Sequence, residues 1–403
     1  MGFRRGRRGP DFYAYLGLVL LLVALDAPFA AFAAVILGYL GWLGLRASRP
    51  SEKTAGLARL EVPDDATEAE RIARIEAWLE AARDSKTFNG GVLIARGGEP
   101  LLMRTFGVAD PKGERPLTTS TPFRLASVSK QFTAAAVLTL VRDGRVALDQ
   151  PVVELLPDLP HPEVTVRHLL NQTSGIPDAY MRLAKKRKRA LGGRLRIADV
   201  PGLLAHARIR SRRTPGAHYE YSNTDYVLAA AVVEAASGTP FEAYLREALF
   251  EPLGMNGSRV WNRESGDDFP ERAIDFVRFP LFGVYPLDPM WFDGVSGDGG
   301  VFASLEDLLV WERFWREPEL LPAELVEECF RGPTLANGET SDYGFGWALD
   351  FMGPWHNGAW LGARTFVART PANDGWLAVV DNAANEATEL FALQLRLQLE
   401  TLR

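Results

Sequence analysis

Two strand-like runs near one end of this chain and two near the other leave few architectures open. Residues 90–96 (GGVLIAR) and 100–110 (PLLMRTFGVAD) are apolar stretches joined by Gly97-Gly98-Glu99, a hairpin signal. Residues 357–370 (NGAWLGARTFVART) and 375–383 (GWLAVVDNA) have the same character, separated by a Pro- and Gly-bearing turn from Pro371 to Gly375. Between them, from about Phe123 to Leu321, the pattern is mostly helical and broken by Pro and Gly loops. Strand edges need partners, so the spacing predicts an α+β protein. Its antiparallel sheet is completed by the N- and C-terminal segments and flanked by helices, with an all-helical region inserted. Two further helices are expected: one over 66–84, carrying Ile72, Ile75, Trp78, Leu79 and Ala82 at helical spacing, and a final one from about Glu386 with Leu390, Leu393, Leu397 and Leu402.

Ahead of this lies a different kind of segment. A basic tail (1–11, MGFRRGRRGPD) precedes a stretch from Phe12 to Leu45 in which Asp26 is the sole acid. Spanning a bilayer needs roughly 20 apolar residues as helix, and this run is longer. It is expected to anchor the chain in lipid, as one tilted span or as a short hairpin turning at Asp26-Ala27-Pro28. With Arg4, Arg5, Arg7 and Arg8 held inside, a single span carries the remainder out of the cytoplasm, the placement expected here. A hairpin, favoured by Arg46, Arg49 and Lys53, leaves both ends inside. Cleavage of a signal peptide at Ala31-Phe32-Ala33 would strand an exposed VILGYLGWLGL on the mature protein. A polar stretch with Pro50 and Pro63 (46–65) then serves as linker to a domain over 66–403.

The remaining totals exclude more than they assign. A net charge of −6 gives no general affinity for nucleic acid. Cys329 is the sole cysteine, so neither an intramolecular disulfide nor a Cys-based metal site is available, and it is expected as a small packed side chain.

Three short motifs carry chemistry. In FRLASVSKQFTA, Ser127 and Lys130 stand three apart at a helix start, one turn from each other on one face. A serine hydroxyl needs a base, and a lysine partly desolvated near other cations can serve; the plain alternative is a helix cap beside a solvated lysine. In HYEYSNTDY, Tyr221 and Asn223 open an apolar helix: a phenol can relay a proton and Asn223 can hold both a lysine and a substrate amide, or the pair simply cap and staple the helix. In PWHNGAWLGARTF, Gly358 permits close backbone approach at a strand and His356 can donate a hydrogen bond or assist proton transfer, unless it is packed between Trp355 and Trp360.

In this order the three elements resemble the serine β-lactamase and penicillin-binding-protein superfamily, in particular its class-C-like branch. The class A signature is S-x-x-K, S-D-N and K-T-G; here Tyr221-Ser222-Asn223 and His356-Asn357-Gly358 occupy the second and third places. VTVRHLLNQTSGIPD, GDGGVFASLEDLLVW and YGFGW also look like family blocks, and the resemblance runs from about Ile72 to the C-terminus. It implies a β-lactamase/transpeptidase-like fold and an acyl-enzyme on Ser127, with Lys130 as proton acceptor. Tyr221 would deliver and later accept a proton. Asn223 would hold the acyl side chain, and Asn357 and Gly358 would lie against substrate. An oxyanion hole is implied from the backbone N–H groups of Ser127 and Ala359. Neither metal nor organic cofactor is implied. Many relatives carry lysine where His356 stands, and H-x-G resembles D-peptidases and carboxylesterases more than dedicated β-lactamases.

The expectation is therefore a membrane-anchored serine hydrolase acting on an ester, a D-peptide or a related amide. The alternative is an inactive descendant that binds a cell-wall fragment or lipid as sensor or scaffold. One insertion stands apart: MRLAKKRKRALGGRLR and ARIRSRR crowd Lys and Arg into 182–213. These residues are either a solvated flexible excursion or a face for anionic lipid headgroups or an acidic substrate.

Overall fold

A computed structural model describes residues 59–399, apart from 210, 212, 263, 264, 266, 267, 280–282, 288, 290, 292, 318 and 373. The chain divides into two compact units, Met1–Ala58 and Arg59–Arg403. The anchor expected at 12–45 lies outside the described residues, among which no helix is long and apolar enough to cross a membrane.

The second unit opens with α1 (Glu68–Asp84), started by a reciprocal cap in which the Thr67 hydroxyl takes the Glu70 N–H and the Glu70 carboxylate takes the Thr67 N–H. Strands β1 (Gly90–Arg96) and β2 (Glu99–Phe106) follow as the expected hairpin. Short β3 (Phe123–Arg124) leads into α2 (Ser129–Arg142), and then come α3 (Val166–Leu170), α4 (Tyr180–Arg187), α5 (Asp199–His206) and α6 (Asn223–Ser237). Helix α7 (Phe241–Leu245) continues through a π-turn into α8 (Glu251–Leu253). Strands β4 (Arg259–Val260), β5 (Phe276–Phe279), β6 (Gly283–Pro286) and β7 (Val301–Ala303) precede α9 (Leu305–Arg316) and α10 (Ala323–Cys329). The chain closes with β8 (Ala348–Asp350), β9 (Gly353–Trp360), β10 (Ala363–Arg369), β11 (Gly375–Asp381) and α11 (Thr388–Leu399).

The main sheet has the order β2-β1-β11-β10-β9-β8, so the two chain ends meet where β1 pairs antiparallel with β11. Gly90 lies opposite Asp381 there, and a Cβ on Gly90 would come within 1.8 Å of the Val380 carbonyl. Only a residue without a side chain fits. Helices α1 and α11 cover one face of the sheet, where Trp78 meets Phe391 at 4.6 Å, while α9 lies on β1, β2 and β11.

Two expectations change. The inserted region is not all-helical: it contains a small β3-β7-β4 sheet and the β5-β6 hairpin. Strands of two to four residues are too short to show a period. In α11, Phe391, Leu395 and Leu399 turn inward, whereas Leu390, Leu393 and Leu397 are exposed. Both stripes have helical spacing, and the aromatic partners Trp78 and Phe88 select the one bearing Phe391.

Candidate active site

The segment from β3 to α2 bends sharply. Leu125 leads into a single 3-10 turn, Ala126–Val128, and α2 starts only at Ser129, two residues later than the spacing suggests. Ala126 has φ 48°, a left-handed conformation that costs a residue with a Cβ on the order of 1–3 kcal/mol. The bend leaves Ser127 half-buried on the wall of a cavity that also takes in Asn223, Asp298 and Ala359.

Lys130 sits one turn on and is fully buried. Its Nζ lies 3.2 Å from Ser127 Oγ, and donates to Asn223 Oδ1 at 2.9 Å and to the Asp298 carbonyl at 2.9 Å. Both of the latter can only accept. They therefore take two N–H groups whether the lysine is charged or neutral, and a neutral amine is left with its lone pair directed at Ser127. The ring of Tyr221 lies 4.9 Å from Nζ and that of Tyr226 5.6 Å.

Asn223 is the first residue of α6, not its cap; Ser222 occupies the cap position and makes no side-chain capping bond. Both ends of the Asn223 amide are committed to the site, since Nδ2 donates to Asp178 Oδ2 at 3.0 Å while Oδ1 takes the lysine. Asp178 in turn accepts from the Thr224 N–H and hydroxyl, which ties the start of α6 to the NQTSGIPD loop.

Across the cavity, β9 brings Gly358 against the turn. A Cβ there would stand 3.0 Å from the Ser127 nitrogen and 2.5 Å from the Leu125 carbonyl. Thr365, opposite Gly358 on β10, donates to that same carbonyl at 2.8 Å. Ala359 lines the cavity.

His356 points the same way but is 3% exposed and packs among Tyr221 and Tyr343. Its Nδ1 lies 2.6 Å from the Asn357 carbonyl, which can only accept, so Nδ1 carries the proton; Nε2 then accepts from the Tyr343 hydroxyl at 3.0 Å. Burial, with the Lys130 charge adding to it, pushes the imidazole down to about 3. It is therefore neutral at pH 7 and aimed at a tyrosine. Asn357 is on the other face of β9, where Nδ2 donates to Glu389 at 3.3 Å, away from Ser127.

Several site residues carry no signal of their own in the sequence. Asp298 is held by the Tyr180 hydroxyl at 2.8 Å, and burial, opposed by Lys130, pushes its carboxyl up to about 6. Arg124 and Asp293 also line the cavity; Arg124 gives its Nε to buried Asp275 at 2.9 Å, and the Trp360 indole donates to Asp293 at 2.9 Å. Asp178, Asp298 and Tyr343 do fall inside the SGIPD, GDGG and YGFGW blocks, which were their one available signal. Among the described residues no group of three or more His, Cys, Asp or Glu is gathered for a metal.

Comparison with known proteins agrees with this geometry. The Beta-lactamase family model matches residues 54–400. The chain is 33% identical over 315 residues to a penicillin-binding protein of Bacillus subtilis (strain 168), covering 73% of this chain and 68% of that protein. It is 32% identical to Esterase EstB of Burkholderia gladioli, covering 70% and 80%. The match to the D-aminopeptidase of Gluconobacter oxydans is 29% identical, covering 68% of this chain and 51% of the relative, about half its length. Among solved structures, the octameric penicillin-binding protein homologue from Pyrococcus abyssi has TM-score 0.68 at 26% identity, covering 82% of this chain and 77% of that one. The sheet order, the Ser127–Lys130–Asn223 cluster and these matches converge: the chain belongs to the beta-lactamase family, within the serine hydrolase superfamily that includes penicillin-binding proteins and D-aminopeptidases.

Proposed function

We propose that Ser127 is acylated by an ester or amide substrate and that water then hydrolyses the acyl-enzyme. The observation that carries this is the lysine held by two obligate acceptors with its third direction toward Ser127 Oγ. Lys130 takes the serine proton as Oγ attacks the carbonyl carbon. The backbone N–H groups of Ser127 and Ala359 would receive the developing oxyanion; such donors are typically worth about 3 kcal/mol each. Tyr221, beside Lys130, would pass the proton to the departing amine or alcohol. Gly358 lets β9 lie against the Ser127 turn, which brings Ala359 to the cavity, and Asn223 positions Lys130.

The cavity's charge narrows the substrate. Asp293 and Asp298 line it, and Asp178 stands behind Asn223. Lys130 is held by two acceptors, Arg124 is ion-paired through Nε with Asp275, and His356 is neutral and bonded to Tyr343. Among the described residues each cation at this cavity already stands against an acid or an acceptor, so the site is poorly suited to the carboxylate of a β-lactam or a peptide C-terminus. It favours a neutral ester, or an amide bearing a free amino group. A dedicated β-lactamase role is accordingly disfavoured.

A fluorophosphonate probe tests the central claim. Wild type should label, Ser127→Ala should not, and Lys130→Ala should slow labelling by at least about a hundredfold, as loss of an activating base does. Folded wild-type protein that resists every acylating probe, labelled penicillin included, would sink it. For the substrate, a D-amino acid ester with a free amine should turn over faster than its N-succinylated form; the reverse preference would reject the electrostatic argument.

The apolar run at 12–45 supports attachment to a membrane with the hydrolase domain outside the cytoplasm, which protease protection on intact cells would test. The 182–213 segment is anchored by buried Leu183, Ala184, Leu195 and Ile197, with Arg182, Lys186 and Arg189 exposed. This arrangement supports contact with anionic headgroups. Equal sedimentation of wild type and a Lys186→Glu/Arg189→Glu variant with anionic liposomes would count against it.

A further inference from the structure

The chain that carries Tyr221 reaches α6 through extended Ser222, and one buried residue grips it on both sides. The Glu220 N–H donates to the Gln172 main-chain carbonyl at 3.1 Å, and the Ser222 N–H donates to Gln172 Oε1. Tyr221 is the residue between. Gln172 is fully buried on the loop after α3, with φ 58°. Left-handed backbone suits Gly or Asn better than a longer side chain, so glutamine stands here against its local preference. The loop itself is fixed: the Tyr226 hydroxyl donates to the Leu170 carbonyl at 2.6 Å, and the Thr173 N–H to the His168 carbonyl at 2.9 Å.

The Tyr221 ring is also backed from behind. It stands edge-on to Tyr343 with centroids 6.3 Å apart, and 6.2 Å from the ring of His356, which the Tyr343 hydroxyl meets at 3.0 Å. Both of those residues are buried, whereas Tyr221 is 38% exposed, with its ring 4.9 Å from Lys130 Nζ. Asn223 has a support of its own, because Asp178 takes its amide together with the Thr224 N–H and hydroxyl. The grip of Gln172 therefore acts on Tyr221 more than on the contact between Lys130 and Asn223.

We infer that Gln172 is a positioning residue that aims the Tyr221 phenol at the leaving group by holding the main chain at 220 and 222, a role that rests on the proposed reading of Tyr221 as proton donor. As Ser127 Oγ bonds to the carbonyl carbon, the bond from that carbon to the leaving atom breaks and the Tyr221 proton passes to that atom. Lys130, protonated by Ser127, then returns a proton to the tyrosine. Asparagine at 172 is one methylene shorter, so its carbonyl withdraws from the Ser222 N–H although it suits the backbone better. A buried N–H left without an acceptor is costly, so the segment shifts to find another partner and carries Tyr221 with it.

Two D-alanine esters with different leaving groups test this on the full chain. p-Nitrophenolate departs as a stable anion, whereas benzyl alkoxide needs a proton as its bond to the acyl carbon breaks. In Gln172→Asn, kcat/KM should fall at least about tenfold further for the benzyl ester than for the p-nitrophenyl ester, as partial loss of acid catalysis does. Tyr221→Phe should show the same selective loss, and the double variant should be no more selective than Tyr221→Phe. Because kcat/KM reports the acylation step, slow deacylation does not mask the difference. Gln172→Gly, at ease in left-handed backbone, gives the same readout if the asparagine variant misfolds. No loss or equal losses on the two esters in the Gln172 variants, beside a selective loss in Tyr221→Phe, would overturn the role of Gln172 alone. Equal losses in Tyr221→Phe would remove Tyr221 as proton donor and Gln172 with it, while labelling of Ser127 reports separately on the nucleophile.

Discussion

A single atom at Gly358 decides whether β9 can lie against the turn that carries Ser127. Adding a methyl group there places it 2.3 Å from Thr365 Oγ1 on β10, and 2.5 Å from the Leu125 carbonyl and 3.0 Å from the Ser127 nitrogen, both in the turn that presents Ser127. Two of these are backbone and cannot yield by a rotamer change. Gly358→Ala should therefore lower the rate of Ser127 labelling at least about a hundredfold and cost about 1–3 kcal/mol in stability, as overpacking does. Stopped labelling assays and thermal unfolding would check both; an unimpaired labelling rate would mean that β9 does not press on the turn. His356 shows the opposite relation between residue and role. The family pattern marks its position, yet its ring orientation and neutral state come from Tyr343 and burial.

At the scale of elements, the site depends on two helices that pass close together. In α2 every residue from Ser129 to Leu140 is buried, so it has no polar face and must be surrounded by structure. Its packing partner α6 carries Ala229, Ala230 and Ala231, small enough for the loop at Gly297 to lie against it: a Cβ on Gly297 would meet that of Ala230 at 2.6 Å. Thr133 on α2 clasps the same loop, donating to the Gly297 carbonyl at 2.7 Å. The next carbonyl, that of Asp298, receives Lys130. Ala230→Leu should push this loop away, destabilising the protein by about 1–3 kcal/mol and weakening the hold on Lys130, read as slower labelling in a protein that still folds. Labelling at the wild-type rate would show that the Asp298 carbonyl is dispensable.

For the whole molecule, acid stability follows from buried groups shifted in opposite directions. His356 is held at about 3 when folded, against 6.5 when unfolded. As pH falls through that window the unfolded chain gains a proton that the folded one refuses, so stability drops. Asp275, Asp298 and Asp381 are each raised to about 6, chiefly by burial, from 3.8. Between those values the folded chain holds protons that the unfolded chain releases, so these three add stability as pH falls. His356→Gln removes the opposing contribution. The change in thermal stability from pH 7 to pH 4.5 should therefore be more favourable in that variant than in wild type; identical changes in the two would show that His356 takes up its proton without unfolding.

The chain's own order of residues was enough to place the hairpin at 90–106, the strands near the C-terminus, α1 and the Ser127–Lys130 pair. Each of these rests on local spacing, and local spacing survives without knowledge of the fold. It could not choose between the two leucine-bearing stripes of α11, because both satisfy the helical period and the choice belongs to Trp78 and Phe88 across the interface. Nor could it show that Lys130 is held by a side chain 93 residues away and by a main-chain carbonyl 168 residues away. Every residue has such a carbonyl, so no letter in the sequence marks the one that matters. Only the packing of α2 against α6 and the Gly297 loop makes that selection, through the small residues that let backbone approach the amine.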